Sequence, residues 1–163
     1  MIPTDKRLLN FAGFAACAGM MGFALFAQHV LKLDPCPLCV FQRVAVISLG
    51  VVFLLAAIHN AGGWGRFVYV FLVVVTAGSG MGVAGRHWWI QNLPADKVPA
   101  CGAGLDYMME TLPILDVLGT VLSGSGECAE VVWRFLGLSM PAWVFICLTV
   151  VGAFGIWNNL RKP

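Results

Sequence analysis

The sequence predicts an all-α membrane protein: a bundle of four transmembrane helices with a short horizontal interfacial helix in its second outer loop. Three observations carry this. The 163-residue chain is 60% hydrophobic and only 11% charged, too apolar for a soluble globule of its size. Its apolar residues gather into four runs of membrane-crossing length, at about 8–31, 36–58, 67–85 and 141–157. The one long hydrophilic stretch, 86–140, joins the third run to the fourth, while 32–35 is a short break between the first two. A net charge of +2 without a basic patch argues against a nucleic-acid partner. The chain reads as a single membrane domain.

The first run follows Lys6 and Arg7 and is uncharged from Leu8 to Leu31. At about 1.5 Å per residue it exceeds the roughly 30 Å hydrocarbon core and spans with some tilt. A basic start before an apolar stretch also resembles a signal peptide, and Phe14-Ala15-Ala16-Cys17 resembles a lipoprotein cleavage site. The apolar run continues well past Cys17, so an uncleaved span is expected and Cys17 is a packing residue. The second run ends at the glycine-rich connector His59–Arg66, with His59 as a solvated loop residue. The third changes from aliphatic to glycine-rich, and Gly78 and Gly82 form a GxxxG pair expected to bring helices close, or else to leave room for a flat ligand.

Arg86-His87-Trp88-Trp89 reads as an interfacial girdle at the start of the long loop. From Leu105 to Leu122, Leu112, Leu115, Leu118 and Leu122 share one side of a helix opposite Asp106, Glu110, Asp116 and Thr120. This is too short and charged to span and is expected along the interface, split or kinked at Pro113. Ser123-Gly124-Ser125-Gly126 is a hinge leading to Cys128, and Pro141 opens the fourth span, in which Cys147 packs.

The chemistry concentrates in Pro35-Cys36-Pro37-Leu38-Cys39-Val40-Phe41-Gln42-Arg43. A Cys-x-x-Cys at a helix start, with Arg43 four residues past Cys39 on the same face, favours the thiolate. These nine residues alone leave three readings: a redox dithiol, half of a zinc site, or a coincidence of packing cysteines. No second Cys-x-x-Cys or Cys/His cluster follows in the chain to complete a zinc site, so no metal is expected. Arg43 is either functional or an arginine snorkelling to the headgroups.

Orientation rests on the cysteines. Lys6, Arg7, Arg66, Arg161 and Lys162 fall on one side, and Lys32, Arg43, Arg86, Lys97 and Arg134 on the other with seven acids, so the basic counts tie. With both termini inside, Cys36, Cys39, Cys101 and Cys128 all meet the oxidising side, where disulfides persist.

With four spans, the Cys-x-x-Cys and its arginine, and the tail Gly126-Glu127-Cys128-Ala129-Glu130, Trp133, Phe135-Leu136-Gly137-Leu138 and Met140-Pro141, the chain resembles the disulfide bond formation protein B (DsbB) family over nearly its whole length. The resemblance implies a multi-pass protein of the bacterial inner membrane, with cytoplasmic termini and periplasmic redox cysteines. It implies an enzyme that reoxidises a periplasmic thioredoxin-fold partner of the DsbA type and passes the electrons to a membrane quinone, ubiquinone or menaquinone. By resemblance the reduced partner attacks a Cys101–Cys128 disulfide through Cys101, freed Cys128 attacks Cys36, and Cys39 becomes the thiolate facing the quinone. Arg43 then donates to a quinone oxygen, and His87 is either a nearby proton donor or a functionless interfacial histidine. The competing readings are a non-catalytic membrane subunit with structural disulfides and, within the enzyme class, a quinone-dependent reductase built on a similar bundle.

Overall fold

The computed structural model describes residues 5–60, 62–98, 105–111, 113–124 and 126–161. Four long helices carry it: α1 (Lys6–His29), α2 (Pro37–His59), α3 (Gly65–Ile90) and, last in the chain, α7 (Met140–Leu160). Each is long and apolar enough to cross a membrane. α1 packs on α2, α2 on α3 and α3 on α7, and α7 closes the ring against α1. The chain is thus a four-helix membrane bundle.

Local sequence sets the helix starts. Asp5 caps α1 by accepting the Arg7 N–H at 3.2 Å. Cys36 is the N-cap of α2, and Pro37 fills the first helical position, where a missing N–H costs nothing. α2 ends at Asn60, which takes the left-handed conformation at φ 42° and sends its N–H back to Ala56 O. His59 is exposed on the last turn of α2, hydrogen-bonded to the Tyr69 hydroxyl of α3, rather than loose in a loop.

Phe53 sits at the centre of the bundle, 0% exposed. A Cβ on Gly13 of α1 or on Gly155 of α7 would come within 2.6 Å of its ring, so two glycines make the room this phenylalanine fills. α3 faces the core through Val73, Ala77, Gly80, Ala84, His87 and Ile90, all buried at spacings of three and four. The expected Gly78–Gly82 contact does not form: both glycines are exposed with nothing within 4 Å of a Cβ. Close approach happens at Gly80 instead, where a Cβ would lie 2.7 Å from Leu148 Cδ1 and 2.9 Å from Ala45 Cβ.

α3 also continues past Gly85 to Ile90, so Arg86-His87-Trp88-Trp89 lies on its last turns rather than in a loop. Beyond it come a 3₁₀ turn at Ala95–Lys97, then α4 (Leu105–Thr111), α5 (Ile114–Ser123) and the four-residue α6 (Gly126–Ala129). The break between α4 and α5 falls at Pro113, whose carbonyl accepts the Asp116 and Val117 N–H groups. The buried face of α5 is not the leucine face: Val117 and Val121 pack on Leu38, Ile90 and Cys128, while Leu115 is 76% exposed. Leu115 and Leu122 face outward because the valines already fill the protein side. Leu112 lies outside the described residues, as does Ser125 of the hinge. A hairpin of β1 (Arg134–Phe135) and β2 (Leu138–Ser139) returns the chain to α7, pairing Arg134 with Ser139.

Candidate active site

The site forms where the heads of α2 and α6 meet the end of α3. As N-cap, Cys36 holds its sulfur over the first turn of α2, and Cys39 sits one turn in. The Cys36 thiol donates to the Cys39 sulfur at 3.1 Å. His87 reaches the same point from α3, buried to 2% exposure, with Nε2 3.7 Å from Cys36 Sγ. Cys128 arrives on α6, 1% exposed, and its sulfur, that of Cys36 and a ring nitrogen of His87 lie within 4.8 Å of one another. Four residues from three distant stretches of chain thus converge: Cys36, Cys39, His87 and Cys128. Cys101 lies outside the described residues.

His87 is therefore a core residue beside the dithiol, and its tautomer follows from its other neighbour. Buried Gln42, one turn below Cys39, donates from Nε2 to His87 Nδ1 at 2.9 Å. A neutral imidazole accepting at Nδ1 carries its proton on Nε2, here aimed at the Cys36 sulfur. That places a proton donor against the dithiol.

Arg43 takes the other side of α2. It donates from Nη1 to Gln28 Oε1 and from Nη2 to Ala24 O at 3.2 Å, both on α1. These bonds tie the half-buried guanidinium to α1. Arg43, Gln42 and Cys39 line a cleft whose other walls are chiefly apolar, including Met20, Ala24 and Val144. A second crevice lies at the dithiol, lined by Cys36, Cys39 and His87 together with Asp34, Glu127 and Glu130. Of the two sulfurs, Cys39 alone lines both spaces.

The segment bearing Cys128 is anchored by Arg86. Its Nε donates to Leu122 O at 3.1 Å and its Nη2 to Ser123 O at 3.0 Å, satisfying carbonyls at the end of α5. The guanidinium also stacks 4.6 Å from the Trp89 ring. Directly after this anchor the backbone turns at Gly124, φ 87°, where a Cβ would lie 2.4 Å from Ile90 Cδ1. Only glycine fits both the conformation and the space.

Sequence reasoning gave no role to Gln42, Gln28 or Arg86. For the two glutamines a signal existed: each is a polar side chain within an apolar span, where such a residue is by default functional or paired. For Arg86 none did, since its acceptors lie 36 and 37 residues away on the backbone.

Comparison with known proteins supplies the family. The sequence model described as "Disulfide bond formation protein DsbB" matches residues 6–158. Curated proteins named "Disulfide bond formation protein B" are similar over nearly full length. That of Hahella chejuensis is 52% identical across 97% of this chain and 96% of its own. That of Marinobacter nauticus is 50% identical across 91% and 89%, and that of Methylococcus capsulatus 47% across 99% and 100%. A helix-head dithiol inside a four-span bundle is the machinery such a name requires, and the chain belongs to the DsbB family of membrane disulfide bond formation proteins.

Proposed function

We propose that this protein reoxidises a periplasmic thioredoxin-fold dithiol protein of the DsbA type and passes the electrons to a membrane quinone, ubiquinone or menaquinone. It would do so in the bacterial inner membrane, with cytoplasmic termini and the redox cysteines on the periplasmic side. The observation that carries this reading is the placement of Cys39 between a polar crevice and an apolar cleft. A dithiol that relays two electrons from a water-soluble donor to a lipid-soluble acceptor needs access to both phases.

The chain's own part follows from its sulfurs. The reduced partner attacks Cys101 in a Cys101–Cys128 disulfide, giving a mixed disulfide and a Cys128 thiolate. That thiolate attacks Cys36 in a Cys36–Cys39 disulfide; the new bond is Cys36–Cys128, and the electron pair leaves on Cys39. The second partner thiol resolves the mixed disulfide, releasing oxidised partner and the Cys101 thiolate. Cys101 then attacks Cys128 to restore Cys101–Cys128, leaving Cys36 and Cys39 both reduced. His87 holds a proton on Nε2 beside Cys36, in the tautomer Gln42 imposes. The cleft supports a quinone site: its walls are chiefly apolar, Cys39 opens into it, and Arg43 offers guanidinium N–H donors at its edge. A quinone bound there supplies a two-electron, two-proton sink.

The test uses purified full-length protein in detergent, a reduced thioredoxin-fold partner and a soluble quinone analogue. Quinone consumption should depend on both components. Serine in place of Cys36, Cys39, Cys101 or Cys128 should abolish turnover, because each exchange needs an attacking and a leaving sulfur. Cys17→Ser and Cys147→Ser should leave it largely intact. Disulfides that resist the partner, with no quinone reduced, would mean that the cysteines are structural.

A further inference from the structure

The convergence of Cys36, His87 and Cys128 has a property that electron relay does not use. Their ligand atoms lie within 4.8 Å of one another, and the Cys36–His87 separation is already 3.7 Å. Around tetrahedral zinc, with bonds of about 2.3 Å to sulfur and 2.0 Å to nitrogen, ligand atoms stand roughly 3.3–3.8 Å apart. Cys39, with its sulfur 3.1 Å from that of Cys36, stands beside this group. Cys36 is thus joined in space by residues 51 and 92 positions further on.

We propose that the fully reduced protein binds one thiophilic divalent cation of the zinc class through Cys36, His87 and Cys128, with the fourth position open to the crevice. Two further features fit. The crevice leading to these atoms is lined by Asp34, Glu127 and Glu130, three carboxylates that concentrate cations at its mouth. Gln42 stands behind His87, where metal-bound histidines find the partner for their other nitrogen. On binding, Nε2 gives its lone pair to the cation and the proton moves to Nδ1, so the Gln42 amide turns to present its oxygen. The thiols lose their protons to solvent as they ligate.

Because Cys36 and Cys128 are the two sulfurs that exchange, an occupied site arrests the relay until the cation is removed; this consequence rests on the proposed function, whereas the binding does not. A cation on the reduced intermediate is then a reversible brake on disulfide formation.

The probe is cobalt(II), whose spectrum reports geometry and ligand type. Full-length Cys17→Ser/Cys147→Ser protein in detergent, reduced with a phosphine that is then removed, is titrated anaerobically. One equivalent should give sulfur-to-cobalt charge-transfer bands and the visible bands of a tetrahedral site, and zinc should displace them. His87→Ala and Cys128→Ser should each weaken cobalt by roughly tenfold or more, as loss of a ligand does. Zinc should also protect Cys128, as well as Cys36, from maleimide labelling mapped by mass spectrometry. Octahedral spectra, or protection of Cys36 and Cys39 alone with unchanged affinity in both variants, would overturn the site and leave simple dithiol chelation. Tight binding without loss of quinone reduction would overturn the brake, and absence of quinone reduction in metal-free wild type would instead refute the underlying function.

Discussion

At the scale of single residues, two side chains on α2 divide the work of holding the dithiol between its neighbours. Arg43 reaches α1 with two different nitrogens, a geometry that needs the planar fork of guanidinium. Arg43→Ala should therefore raise the apparent Michaelis constant for quinone, and Arg43→Lys should fall between wild type and alanine. Exchange of the partner with the loop cysteines should change little, and equal damage to both half-reactions would make Arg43 a structural strut. Gln42 acts through His87. Replacing it with leucine removes a buried hydrogen bond worth about 0.5–1.5 kcal/mol and frees the tautomer, so quinone turnover should fall by about threefold to tenfold. Quinone reduction should fall while exchange between the partner and the loop cysteines stays unchanged, and equal loss in both would separate Gln42 from the chemistry.

Among the elements, the one that decides delivery is α6, too short to hold a position by its own hydrogen bonds. Its place comes from what precedes it: Arg86 bonded to the last carbonyls of α5, and Val117 and Val121 packed into the cluster that contains Cys128. Arg86→Met keeps an unbranched apolar stem but loses both bonds and the guanidinium over Trp89, which should let the end of α5 fray and Cys128 drift from Cys36. Single-turnover oxidation of the reduced partner should slow several-fold while the Michaelis constant for quinone stays put. A change in the quinone constant alone would place Arg86 with the cleft instead.

For the molecule as a whole, the packing of α3 makes a prediction in which neighbouring glycines behave oppositely. Gly80→Val should destabilise the bundle by about 1–3 kcal/mol, because its side chain meets Leu148 and Ala45. Gly82→Ala, pointing into open space, should leave the thermal midpoint in detergent nearly unchanged. Equal sensitivity would mean that another surface covers Gly82. The same helix shows what a sequence tells and where it stops. Length and hydropathy place four spans because backbone in lipid must close its own hydrogen bonds. They do not show which glycines touch, since Gly78 and Gly82 satisfy the motif while Gly80 lies on the stripe that runs Val73, Ala77, Gly80, Ala84, His87. Followed past Gly85, that stripe would have marked His87 as buried; the polar character of Arg86 and His87 hid it. The dithiol and its arginine were legible because they are contiguous. The meeting of Cys36 with His87 and Cys128 was not, because it depends on where a loop folds back.

Cys39 opening to two spaces bears on how the two reactants meet in time. The two spaces adjoin along Asp34, Cys39, Val132 and Met140, and of the two dithiol sulfurs only that of Cys39 is common to both. On the proposed function, a compound lodged in the apolar cleft should lower the maximal rate without competing with the dithiol partner. Under that same function electrons would cross in pairs, as a disulfide opening towards the crevice and a thiolate appearing towards the cleft.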